Sequence, residues 1–277
     1  MAKGFTGGFT VLIAVYGGDD SALFRNALES IFANTLQPSR TVLVVDGPVP
    51  EVLEKVIVSF ELREGLTVHR LANNQGLFNA LNFGLKHIET EWTVRADADD
   101  YNRPDRFQAM SDALYQATGN LDIFGSAIQE VDTDGTKIAV RRTPAKHEEI
   151  ISFARKRNPF NHMTVAFRTK CAKEAGGYPD VYLKEDYALW VQILANGARA
   201  ANVSDTLVHA ATGQGMYKRR GGLRYAVSEI KLQRHLIKCG FKRSGVAILH
   251  GTVRSMLFLA PVGLRAFFYK KFLRRDA

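Results

Sequence analysis

The N-terminal part of the chain alternates two hydrophobic rhythms. Phe9-Thr10-Val11-Leu12-Ile13-Ala14-Val15-Tyr16 is almost continuously apolar and β-rich, the pattern of a strand buried in a parallel sheet. Phe24, Leu28 and Ile31 then recur at helical spacing, with Ser21 placed to cap that helix. Thr41–Val45 predicts a second strand, Val52–Phe60 a second helix, Leu66–Leu71 a third strand, and Leu77 to His87 a third helix. Trp92–Ala96 predicts a fourth strand that runs directly into Asp97-Ala98-Asp99-Asp100. Alternation at this pitch predicts an α/β fold built on a mostly parallel, doubly wound central sheet.

After Arg103-Pro104, read as a helix start, the pattern changes. Leu121–Val131 and Lys137–Arg142 flank Asp132-Thr133-Asp134-Gly135, a hairpin turn. His162–Arg168 reads as a strand, Tyr187–Leu194 as a helix and Thr206–Ala211 as a strand. From Leu223 the chain is largely helical and basic, so the expected division is residues 1–222 as the α/β domain and 223–277 as a helical appendage.

Ligands of such sheets bind beyond the carboxyl ends of the strands. Tyr16 follows the first strand, Asp46 the second, Asn73-Asn74-Gln75-Gly76 the third, and Asp97 and Asp99 the fourth. One sheet edge therefore gathers carboxylates and amides. In an extended segment residues two apart point the same way, so Asp97 and Asp99 address one site. Such a pair suits a hard divalent cation that fills its other positions with phosphate oxygens and water. The competing reading is a solvated acidic loop in which Asp99 or Asp100 caps the next helix.

Charge changes the picture at the C-terminus. The 277 residues carry a net charge of +9, yet Gly213–Ala277 alone holds 15 Lys/Arg against 2 Asp/Glu. The body is mildly acidic and the tail strongly basic, as expected for contact with an anionic surface. Val246–Arg275 interleaves Leu257-Phe258-Leu259, Phe267-Phe268 and Phe272-Leu273 with Arg254, Arg265, Lys270, Lys271, Arg274 and Arg275, which fits an interfacial amphipathic segment. A basic-rimmed helix docked on the core would share that composition. No nucleic-acid recognition module accompanies the charge, so nucleic acid is not expected as a partner. No secretory signal or run of ~20 apolar residues is evident, so the chain is expected in the cytoplasm, peripheral on the inner face of the cell membrane. Cys171 and Cys239 have neither disulfide-framework nor metal-ligand spacing.

Five segments in order resemble inverting glycosyltransferases of family 2 and the GT-A fold, of the bacterial amylovoran-type subgroup that builds O-antigens and exopolysaccharides. They are Val11–Tyr16, Val44-Val45-Asp46-Gly47, Asn74-Gln75-Gly76-Leu77 with Ala80–Gly84, Arg95–Asp100, and Glu185-Asp186-Tyr187-Ala188-Leu189-Trp190. The resemblance implies nucleotide-sugar contacts from Tyr16, Asp46 and Asn74, with Asp46 accepting from a uracil-type imide and Tyr16 flanking the base. It implies Asp97 near the ribose and metal, Asp99 as the principal ligand of Mn²⁺ or Mg²⁺, and Asp186 as the base that deprotonates the acceptor. Helix N-capping is the alternative role for Asp186. Glu185 and His162, the latter in Asn158-Pro159-Phe160-Asn161-His162, are acceptor-side candidates. Arg219 and Arg220 in Lys218-Arg219-Arg220-Gly221-Gly222 are candidates to fold over the diphosphate, and His209 is a further metal-ligand candidate. Gly76, Ala80 and Gly84 are read as packing positions.

The implied reaction moves one sugar from a UDP-sugar to a lipid-diphosphate-linked saccharide. No Gln-x-x-Arg-Trp segment of processive synthases occurs. The first strand also departs from the family pattern, ending in Gly17-Gly18-Asp19-Asp20 rather than a threonine- or proline-containing turn. The alternatives are a dTDP- or GDP-sugar donor, or a non-catalytic membrane-docked glycan-binding protein on the same fold.

Overall fold

The expected alternation is present in the computed structural model, which describes residues 4–117, 120–132, 135–211 and 221–260. β1 (Phe9–Tyr16), α1 (Ser21–Phe32), β2 (Arg40–Asp46), α2 (Glu51–Glu61), β3 (Leu66–Arg70), α3 (Leu77–Lys86) and β4 (Trp92–Arg95) follow one another. Strands β3-β2-β1-β4 lie side by side and parallel, with Tyr16 in register with Asp46 at the carboxyl edge. The near-continuous apolar run of β1 is explained by burial on both faces. Val11, Ile13 and Val15 enter one core with Phe24, Leu28 and Ile31 of α1. Leu12 enters the other with Ala80, Leu81 and Leu85 of α3. At Gly84 a Cβ would collide with Leu12 and Val44, so α3 lies too close to the sheet for a side chain there.

The chain continues through β5 (Tyr101–Asn102), α4 (Arg106–Gln116), β6 (Ile123–Val131), β7 (Lys137–Arg141) and α5 (His147–Ala154). A 3-10 turn (His162–Thr164), β8 (Ala166–Arg168), α6 (Thr169–Glu174), α7 (Glu185–Ala195) and β9 (Ala200–Ala211) come next. They extend the sheet to the order β3-β2-β1-β4-β8-β6-β9-β5, with β7 paired to β6. β8 runs antiparallel to β4 and β6, while β9 is parallel to β6.

Three boundaries differ from the sequence pattern. Asp20, not Ser21, caps α1: one carboxylate oxygen accepts the N–H groups of Ala22 and Leu23, each at 2.9 Å. His162–Arg168 is a 3-10 turn followed by a short strand. There the Thr164 hydroxyl donates to the Asn161 carbonyl at 2.8 Å and accepts the Ser126 N–H at 2.9 Å, replacing ladder bonds with local ones. β9 begins at Ala200 rather than Thr206, because its pairing with β6 shifts register around Ser126–Ile128, opposite a polar stretch that hides the period.

The last two helices are α8 (Leu223–Lys238) and α9 (Ser244–Leu259). Leu232 and Leu236 of α8 join the core that contains Ala188 and Leu189 of α7, and the His235 ring meets the Ala188 carbonyl at 2.9 Å. α9 lies along α8, with Gly251 against the Gln233 side chain. Among the described residues no helix is long and apolar enough to cross a membrane.

Candidate active site

The strand ends place the expected residues on one edge, each in a different state. Tyr16 is 42% exposed, with its N–H bonded to Asp19. Asp46 is buried, and its two oxygens accept the Gln75 and Gly76 N–H groups at 2.7 and 2.9 Å. The Asn74 amide donates to the Asp46 carbonyl at 3.2 Å. Asp46 thus holds the loop that opens α3. Gly47, at φ 83°, lies where any side chain would strike the backbone of Asn73 and Asn74.

A polar chain crosses the centre of the edge. Arg95, buried at the end of β4, donates to the Leu12 carbonyl and to Asp97 Oδ1, each at 2.6 Å. The other Asp97 oxygen meets His162 Nε2 at 2.6 Å. His162 Nδ1 lies 3.6 Å from Asp186 Oδ2, which also accepts the Asn158 amide at 2.6 Å. His162 therefore bridges the acidic loop and the first turn of α7, elements that sequence reading could only treat separately. Burial opposes the charged imidazole, but Asp97 and then Asp186 outweigh it and raise the His162 pKa to about 9. Burial likewise opposes ionisation of Asp97, yet His162 and Arg95 hold its carboxyl far below the usual range.

Asp97, Asp99 and Asp100 each offer a carboxylate oxygen within 4.8 Å of the others. Asp100 is no helix cap: its Oδ1 accepts the Ala211 N–H at 3.1 Å, and α4 starts at Arg106 without a side-chain cap. Its Oδ2 is buried without a hydrogen-bond partner. Burial, Asp97 and then Asp99 push the Asp100 carboxyl well above the carboxylate range. An orphaned buried oxygen beside two further carboxylates fits a hard divalent cation. His209 is not part of this group; its ring lies tilted beside Tyr101, with centroids 6.0 Å apart.

Beneath the acidic loop lies Arg106, fully buried, which the sequence pattern did not single out. It donates to the Arg95 and Met163 carbonyls at 2.8 and 2.9 Å and to Asn102 Oδ1. Burial lowers its pKa to about 9 despite Asp100 and Asp97 nearby. Its partners are distant in sequence, and no local period signals such an arginine. Asn158 was likewise missed as a partner of Asp186.

Glu185 and Asp186 form the first turn of α7, whose N-cap is Lys184 without a side-chain cap bond, so Asp186 does not cap the helix. Burial, then the neighbouring Asp186, raise the Glu185 pKa to about 7. Lys184 turns away from the site toward α8, with its ammonium 2.9 Å from Ser228 Oγ and 3.4 Å from Glu229. Arg219 and Arg220 lie outside the described residues.

This edge, with its acidic triad after the fourth strand, gathers the clustered carboxylates and the buried cations of the candidate site. Residues 10–173 match Glycosyl transferase family 2, and the chain belongs to that family. It is 36% identical over 268 residues to the UDP-Gal:alpha-D-GlcNAc-diphosphoundecaprenol beta-1,3-galactosyltransferase of Escherichia coli, spanning 96% of this chain and 97% of the relative. It is 35% identical over 265 residues to the amylovoran biosynthesis glycosyltransferase AmsE of Erwinia amylovora, spanning 95% and 98%. In fold it is similar to S. aureus TarS in complex with UDP-GlcNAc, with a TM-score of 0.67 at 16% identity, covering 97% of this chain and 77% of that one. The fold is GT-A and the protein is a glycosyltransferase.

Proposed function

We propose that the chain transfers one sugar from a UDP-sugar to a saccharide carried on a lipid diphosphate, inverting the anomeric centre, to build an O-antigen or exopolysaccharide repeat unit. The observation that carries this reading is the unbroken path Arg95–Asp97–His162–Asp186 beside the three clustered carboxylates. Hydrogen bonds join Arg95, Asp97 and His162, and a 3.6 Å charge contact carries the path on to Asp186, which supports reading the carboxylate cluster and this base candidate as one site. Similarity to the E. coli galactosyltransferase over nearly the whole of both chains supports the donor and acceptor classes.

In this reading Tyr16 and Asn74 flank the nucleotide. Asp46 shapes the loop and keeps lone-pair capacity for the uracil imide. Asp97, fixed from both sides by Arg95 and His162, meets the ribose and the metal. Asp99, with Asp97 and the orphaned oxygen of Asp100, would hold Mn²⁺ or Mg²⁺, and the ion would supply positive charge against the departing diphosphate. Arg219 and Arg220 add charge over the same group.

Asp186 accepts the proton of the acceptor hydroxyl as that oxygen attacks the anomeric carbon opposite the diphosphate. Asn158 donates to Asp186 and sets its orientation, while the His162 cation stands between this carboxylate and Asp97. Glu185 and His162 border the acceptor. Residues 1–222 form the catalytic unit in this reading, and the basic region 223–277 holds the enzyme peripherally on the inner membrane face, where a lipid-linked acceptor resides.

The test is a panel of UDP-, dTDP- and GDP-sugars offered with a synthetic lipid-diphosphate-GlcNAc acceptor, with the product linkage and anomeric configuration read by NMR. Transfer from a UDP-sugar with inversion is expected. Consumption of only a dTDP- or GDP-sugar overturns the donor assignment, and retained configuration overturns the role of Asp186.

A further inference from the structure

α9 has two unlike sides. Ala247 and Gly251 are buried, and Arg254 and Ser255 face α8 and the loop after α5. The opposite side carries Val246, Ile248, Leu249, Val253, Met256 and Leu259, each between 46% and 66% exposed. With Gly245 and Thr252 between them, this stripe contains no charged residue along the whole helix. Exposed apolar surface continuous over four turns is unusual on a protein that meets only water.

The charge of the C-terminal region that carries the stripe selects its occupant. From Gly221 to Ala260 the one acidic residue is Glu229, and it is buried. Arg234, Lys238 and Arg243 are exposed there, and residues 261–277 add five Lys/Arg against one Asp. A second copy of the chain would bring the same cations to the contact and be repelled. An anionic lipid surface satisfies both halves of the pattern, with apolar side chains among the acyl chains and cations among the headgroups.

We propose that α9 is the membrane-seating element, lying in the plane of an anionic bilayer with Val246, Ile248, Leu249, Val253, Met256 and Leu259 entering the headgroup–acyl boundary. This deepens the peripheral-membrane part of the proposed function and rests on it for biological purpose, though not for its test.

The full chain is mixed with vesicles of phosphatidylglycerol and phosphatidylethanolamine, or of phosphatidylcholine alone, and floated through a density gradient. Wild type floats with the anionic vesicles. The Leu249→Gln/Val253→Gln/Met256→Gln variant floats at least tenfold less, with unchanged circular dichroism. If that variant melts early, Met256→Gln and Leu259→Gln taken singly show graded losses. Equal flotation of wild type and variants, or no flotation of wild type with anionic vesicles, overturns the proposal. So does a dimer in lipid-free solution that the triple substitution dissociates. Slow amide exchange along the outer face of α9 without lipid also overturns it, because the chain's own terminal segment then covers the stripe. Transfer to a short-chain, water-soluble acceptor is the independent arm. Its absence in wild type with flotation intact defeats the proposed reaction and leaves the docking assignment standing.

Discussion

Two buried charge clusters meet the start of α7, one through Lys184 and one through Asp186, and they are finished differently. Around Glu229, every charge is answered. Its Oε1 accepts from Gln233 at 2.7 Å and Arg254 at 3.4 Å, its Oε2 faces Lys184 at 3.4 Å, and the carboxylate is only 1% exposed. Around Asp97–Asp100, three carboxylates crowd together, Arg95 and His162 both bond Asp97, and Asp100 keeps one buried oxygen without a hydrogen-bond partner among the described residues. A closed network of this kind fixes elements relative to one another, whereas an open one stores electrostatic demand that a ligand can satisfy. Chemistry is expected only at the open cluster.

The sharpest way to break this contrast is at Asp186, the proposed base. Asp186→Asn should lower kcat by about 10²–10⁴-fold and leave the donor KM unchanged. Steady-state kinetics with donor and acceptor varied separately check it, and normal turnover would move the base elsewhere. Next in size, Glu229→Ala strips a buried ion group and should cost about 3–5 kcal/mol of folding stability, read as a lower urea midpoint. A neutral result there would mean the closed cluster fixes nothing.

The open cluster should respond to metal where the closed one does not. Saturating Mn²⁺ should raise the melting temperature of wild type, by roughly 2.7 kcal/mol of added stability at a hundredfold excess over Kd. Asp99→Ala should abolish both that shift and transfer, while Glu229→Ala should keep the shift. The smallest effect is expected at Glu185, whose folded pKa of about 7 lies above the ordinary 4.5. The folded state then holds this proton more tightly, so its contribution to stability falls as pH rises from about 4.5 to 7 and stays low above. Glu185→Gln removes that slope, so thermal melts of the two proteins should diverge across this window and run parallel above it.

Much of the proposed donor side was legible in the sequence because it is built from local signals. Apolar β1 and the helical periods of α1 to α3 fixed which residues stand at strand ends, and Asp46, Asn74 and Asp97 were found there. What stayed hidden depends on contacts between distant segments. Arg106 is buried by Met163, 57 positions away, and Asn158 meets Asp186 across 28. The 3-10 turn at His162 escaped because Thr164 satisfies Ser126 across the sheet, a bond without a sequence period. That turn is also what lets His162 reach both carboxylates. The Asp20 cap was missed by one position, since Asp and Ser are both strong caps and the pattern alone does not rank neighbours.

Arg254 ties α9 to the reactive edge by a short route. Its guanidinium donates to the Lys156 carbonyl at 2.6 Å, two residues before the asparagine that orients Asp186. Through Glu229 the same arginine is joined to Lys184, the residue preceding Glu185. The joint cannot swing without stripping a buried carboxylate, so α7, α8 and α9 move as one stiff bracket. A stiff bracket sets a height. On the proposed seating of α9, Asp186 is carried at a set distance above the lipid, and the proposed lipid-linked acceptor must present its hydroxyl at that level to react.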